Sequence, residues 1–114
     1  MAPRIAIAQQ REQKRRVAIL MGGLKSDDVA GRGEVAALEA GLKELGWRPG
    51  DNIELDYRWP GAELDAVQAA AKAVVSSRPD LVVSRSTPAT AAVAHSGLPV
   101  IFVLLVDPLG SGFV

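Results

Sequence analysis

Cysteine is absent from this 114-residue chain, and with it go disulfides, thiolate catalysis and every zinc site built on sulfur. Histidine occurs once, at His95, with no Ser-His-Asp spacing around it, which makes it a helix-end residue before it is a catalyst. An excess of one charge sign is missing too: Lys and Arg number 13, Asp and Glu number 13. That balance argues against nucleic acid as a partner, because such binding rests on a basic face. It also leaves little electrostatic protection against self-association. No apolar run is long enough for a membrane-spanning helix; the longest, residues 98–106, contains Pro99 and suits a buried strand. Motifs of common chemistries are lacking as well. No GxxxxGK[ST] or GxGxxG follows the first strand, and no GxSxG occurs. A phospho-acceptor receiver domain would need acidic residues where Met21-Gly22 and Ser84-Arg85 stand. An enzyme is not expected, and no cofactor or metal is implied.

What is present is a regular alternation. Residues 17–21 (VAILM), ended by Gly22-Gly23, form a short continuous apolar run, as in a buried parallel strand. Asp27-Asp28 suit a helix N-cap better than a metal site, and Val35, Leu38, Leu42 and Leu45 follow at helical spacing, with Gly46 as the stop. Residues 52–58 (NIELDYR) alternate apolar and polar, the pattern of a half-buried edge strand, and Pro60-Gly61 reads as a turn. Trp47 and Trp59 flank this strand and are assigned to packing. Leu64, Val67, Ala71, Val74 and Val75 mark a second helix, stopped at residues 78–80. Residues 81–83 form a third strand, 89–95 a third helix and 100–105 a fourth strand. This β-α-β-α-β-α-β order predicts an α/β fold with a parallel sheet, right-handed crossovers and one domain over residues 17–114. Residues 1–16 are expected to be a solvated, flexible lead-in. Within them Ala6-Ile7-Ala8 carries the small-residue spacing found at the end of an export signal, without the charged and apolar regions that would precede it.

Ligands of parallel sheets bind beyond the carboxyl ends of the strands. Three loops qualify: residues 22–26, 84–88 and 105–110. In the middle one, Thr87-Pro88 joins a capping hydroxyl to a proline suited to the first helical turn. The exposed amides of such a turn attract an anion such as a carboxylate, with Ser86 and Thr87 adding hydroxyls; a plain capped helix has the same pattern. Gly22 and Gly23 permit close backbone approach. Lys25 and Arg85 are each able to pair with a carboxylate, although surface basic residues usually do nothing specific.

Several blocks, in order, carry a family resemblance. They are Gly41-Leu42-Lys43-Glu44-Leu45-Gly46-Trp47, residues 52–59 (NIELDYRW), Ser86-Thr87-Pro88-Ala89, Pro99-Val100-Ile101-Phe102-Val103, and Asp107-Pro108-Leu109-Gly110-Ser111-Gly112-Phe113-Val114. With them the chain resembles the substrate-binding proteins of ABC transporters, of the type I periplasmic-binding-protein fold. The resemblance implies a solute-binding function for a small organic molecule such as an amino acid or related carboxylate. It implies a ligand site drawn from Gly22, Gly23, Lys25, Ser86, Thr87 and Asp107, an ABC permease as partner, and a periplasmic location, with the cytoplasm as the alternative. Such proteins are two-lobed and two to three times this size, so the chain is expected to cover most of one lobe, and half a cleft should bind weakly. The residue before Thr87, commonly Gly in such proteins, is Ser86 here.

The flavodoxin-like order 2-1-3-4 follows for the sheet, a three-layer half-lobe with helices on both faces. The first helix then covers one face alone, leaving part of strands three and four bare. The fourth strand, from Val100 through Val106, is an unpaired edge without charge. A homodimer or higher oligomer through Val100–Val106 is therefore expected. The alternative to solute binding is a non-enzymatic module that persists by oligomerising, with no retained ligand.

Overall fold

A computed structural model of the chain describes residues 14–103. Its elements alternate as β1 (Arg15–Gly22), α1 (Val29–Glu44), β2 (Ile53–Gly61), α2 (Leu64–Ser77), β3 (Leu81–Arg85), α3 (Thr87–Val93) and β4 (Val100–Val103). The strands form one parallel sheet in the order β2-β1-β3-β4, which is the α/β arrangement the alternation predicts.

β1 lies at the centre and is buried on both sides. Ala18, Ile19 and Leu20 expose 1% or less of their surface. Ala18 and Leu20 point toward α2 and α3, where they meet Val67, Ala71, Val74, Val82, Ala89 and Val93 in one cluster. The period of two sends Ile19 and Met21 to the opposite face, under α1. β3 follows the same alternation: Val82 and Ser84 face the cluster, and Val83 and Arg85 face α1. Ser84, read from the sequence as part of a turn, is the strand's fourth residue and fully buried. Its hydroxyl shares a 2.5 Å hydrogen bond with Thr90, and Thr90 also donates to the Ser86 carbonyl at 2.9 Å. A buried hydroxyl without such a partner would cost about 1–3 kcal/mol.

α1 ends as its sequence predicts. Gly46 takes φ 93°, its amide donates to Lys43 and the Trp47 amide donates to Leu42, which together close a Schellman motif. Its start differs. Asp28 holds the N-cap position, but its carboxylate accepts from the Lys25 amide at 2.7 Å and so closes the preceding turn. Gly31 brings α1 close to the end of β2: a Cβ there would lie 2.8 Å from the Trp59 ring and 3.0 Å from Leu24. Trp59 is thus a packing residue, stacked on Tyr57 with ring centroids 6.3 Å apart.

Four boundaries depart from the sequence reading. Pro60-Gly61 is not a separate turn, because β2 runs through Pro60 to Gly61. Proline is tolerated there because β2 is an edge strand and its register to β1 slips between Leu20 and Gly22, so one ladder donor is not needed. β3 extends to Arg85, and α3 begins at Thr87 rather than Ala89. β1 begins at Arg15, two residues before the apolar run, with Arg16 and Asp80 exchanging hydrogen bonds at 2.8 Å. Residues 1–13, and the part of the predicted fourth strand and loop beyond Val103, lie outside the described residues.

Candidate functional site

Between β1 and β3 the chain reverses its direction of travel across the sheet: from β1 it crosses to β2 on one side, and β3 lies on the other. Crevices at such reversals, outside the carboxyl ends of the strands, are where ligands of open α/β sheets bind. Two of the three predicted loops meet there. A Cβ on Gly22 would lie 2.5 Å from the Ser86 hydroxyl oxygen, 2.6 Å from the Arg85 carbonyl oxygen and 2.7 Å from the Ala89 side chain. Gly22 is required by this close approach, and any larger residue would push the two loops apart.

Ser86 is the N-cap of α3, with φ 80° and ψ 155°. Glycine occupies that backbone region almost exclusively, and another residue there stores about 1–3 kcal/mol. Ser86 makes no side-chain cap, so its hydroxyl is not spent on the helix amides. Its amide donates to the Val103 carbonyl. Thr87 and Pro88 form the first two positions of the helix, so the cap is one residue earlier than the sequence suggested.

The β1–α1 loop differs from its expected role. Three of its amides are already bonded: Gly23 donates to Gly61 of β2 at 2.7 Å, Leu24 to Met21 at 3.3 Å and Lys25 to the Asp28 carboxylate. Those three amides are thus not presented to a ligand, whereas the Lys25 side chain is exposed. That side chain runs over Gly61, beyond β1 from Ser86, with its Cε 3.2 Å from where a Gly61 Cβ would sit. Lys25 is not brought against Ser86 and Thr87. Asp107 lies outside the described residues.

A residue that sequence reasoning left without a specific role lies at the centre of this geometry. The Arg85 guanidinium donates through Nη1 to the Gly22 carbonyl at 2.9 Å and through Nε to Glu34 of α1 at 2.8 Å. Its side chain is only 19% exposed. The available signal was the alternation of Leu81, Val83 and Arg85, which sends Arg85 to the α1 face. Beside this pair lies an apolar cavity of about 360 Å³ lined chiefly by Ile19, Met21, Val35, Leu38, Val83 and Val103. Farther along α1, burial and the neighbouring Glu39 carboxylate push the Tyr57 phenol far above its ordinary range. The buried hydroxyl sits close enough to the Glu39 carboxylate to feel its charge. His95 is exposed near a shallow groove with Gln68 and Lys72, away from the crevice. Among the described residues no three His, Asp or Glu groups converge as a metal site would require.

Residues 29–114 match the family of ABC transporter substrate binding proteins. The chain belongs to this family. Over 89 residues it is 33% identical to a tyrosine-binding protein of Clostridioides difficile (strain R20291), a match covering 76% of this chain and 25% of that protein. Among solved structures it superposes on a conserved domain protein of Vibrio cholerae with a TM-score of 0.77 and 26% identity, over 90% of this chain and 34% of that one. It superposes on the ligand-free, open form of a Clostridium difficile substrate binding protein with adhesive properties at a TM-score of 0.74 and 21% identity, over 86% and 33% of the two chains. A Streptococcus pneumoniae ABC domain in complex with L-Trp gives a TM-score of 0.73 at 24% identity, over 87% and 33%. The chain thus spans a quarter of that curated relative and about a third of these solved structures. Among the described residues no helix is long and apolar enough to cross a membrane.

Proposed function

We propose that this family member serves as a solute-binding component of an ABC transporter, taking an amino acid or a related small carboxylate. The observation that carries the reading is the meeting of Gly22 with Ser86 at the strand-order reversal. It gathers a hydroxyl and the first turn of α3 at the place where such sheets hold ligands. Ser86 and Thr87 would hold the carboxylate, Gly22 and Gly23 would let it approach the backbone, and Lys25 and Asp107 would line the approach. A tyrosine-binding protein and an L-Trp complex among the similar proteins favour amino acids as the solute class. In this reading the protein works outside the cytoplasmic membrane and hands its solute to a permease.

A crevice formed by one lobe contacts its ligand from one side, so the expected dissociation constant is on the order of 0.1–1 mM. Calorimetric titration with a panel of L-amino acids and small carboxylic acids tests the reading. Saturable binding of an amino acid, lost in Ser86→Ala, supports it. A folded sample that responds to none of the panel refutes it.

A second reading, assembly by self-association, rests on a different observation. Ile101 and Val103 of β4 are 52% and 42% exposed, on the α1 face of the sheet, where that one helix leaves the edge strand partly uncovered. Pairing of β4 with its symmetry mate in a homodimer through Val100–Val106 would cover them. Sedimentation at tens of micromolar should show a dimer that Ile101→Lys converts to monomer. A wild-type monomer under those conditions removes this reading.

A further inference from the structure

α1 is held to the sheet unevenly. Of its 16 residues only Gly31 is buried, and the 360 Å³ cavity separates part of the helix from β1 and β3. Near the crevice two contacts fasten it: Gly31 against Trp59, and Glu34 against Arg85. The Arg85 contact continues into the ligand loop. Its second donor takes the carbonyl of Gly22, whose peptide partner, the Gly23 amide, is bonded to Gly61. That peptide is therefore held from both sides, and Gly23 on its far side has φ 85°. The carbonyl of Arg85 also forms one wall of the space that forces residue 22 to be glycine.

We infer that Arg85 is a positioning residue for the candidate solute site: its guanidinium, steadied by Glu34, sets the orientation of the Gly22–Gly23 peptide and so the fit of the β1 loop against Ser86. The planar fork is what the task requires. Nε and Nη1 donate in two fixed directions, to a helix carboxylate and to a strand-end carbonyl, which a lysine ammonium cannot reproduce. The sheet end and α1 then move as one piece at the crevice, although the helix behind it is loosely packed. The role rests on the solute-binding reading for its consequence, but not for its geometry, and the experiment separates the two.

The measurement is residue-resolved amide exchange of Gly23 and of Val82, a core amide of β3, in the wild-type chain and in Arg85→Lys and Glu34→Gln, together with amino-acid titration. With a charge-assisted pair lost, Gly23 exchange should quicken about tenfold or more in Arg85→Lys while Val82 stays within about twofold. Glu34→Gln, which keeps an acceptor and loses the charge, should show the same pattern more weakly. Solute affinity should fall about tenfold in Arg85→Lys, with Ser86 and Thr87 intact. A wild-type chain that binds no solute overturns the solute reading and leaves the exchange pattern to decide the positioning of the peptide. Unchanged Gly23 exchange in both variants overturns the inference, and so does an equal rise at Gly23 and Val82, which would mark a general loss of stability. If Arg85→Lys does not fold, Glu34→Gln decides by the same comparison.

Discussion

On one face of the sheet Ala18, Leu20 and Val82 lie under α2 and α3 with 1% or less of their surface exposed; on the other, α1 stands over a cavity, and Ile101 and Val103 remain about half open. The same strands build both faces, and both faces are apolar. The difference comes from the crossovers. Three successive connections place two helices on one side and one on the other, and one helix cannot cover four strands at an interaxial spacing near 10 Å. The closed face holds the fold together, and the open face is where the Arg85–Glu34 tie and the exposed edge residues are found.

If that contrast is right, truncations on the two faces should differ most. Leu20→Ala, in the closed face, should cost about 3 kcal/mol in urea unfolding, whereas Leu38→Ala beside the existing cavity should cost about 1 kcal/mol. Equal costs would mean that the open face is packed as tightly as the closed one. Next in size is the strand-end contact between the loops. Gly22→Ala should lose about 2 kcal/mol, since a backbone carbonyl bars the new methyl, while Gly33→Ala on the exposed side of α1, with nothing within 4 Å, should gain up to about 1 kcal/mol. Ser86→Gly should raise stability by about 1 kcal/mol through relief of its φ of 80°, and it should weaken any amino-acid binding through loss of the hydroxyl. A stability loss there would show that the serine is not strained. The smallest effect is expected from filling the open face. Val35→Leu should add up to about 0.8 kcal/mol of stability for one buried methylene, and no gain would show that α1 cannot settle onto the sheet.

Much of this architecture is legible in the chain itself. The continuous run Val17–Met21, ended by Gly22-Gly23, reads as a buried strand and is one, and Gly46 after Leu45 marks a helix end that the structure closes as a Schellman motif. Elements whose ends depend on distant partners were read less well. Ser84 and Arg85 look like turn residues by type, yet they are strand, because Ser84 finds Thr90 and Arg85 finds Gly22 and Glu34. Pro60 looks like a turn and is strand, because the edge position and the slipped register spare it the missing donor. Of the candidate site, Gly22 and Ser86 are legible as residues at the ends of neighbouring strands; the course of the Lys25 side chain over Gly61 is not.

What the amino-acid order settles alone is periodic and local. Runs of four or five apolar residues, helical spacings and the glycine at a helix end act over a few residues, and together they dictate an alternating α/β chain. Which loops touch, and how closely, is not local. The contact of Gly22 with Ser86, the fork of Arg85 between α1 and β1, and the unequal covering of the two faces exist only once β1 and β3 lie side by side in register. Sequence carries no mark of a distance between residues so far apart in the chain. The packing of the sheet creates that distance, and the candidate site with it.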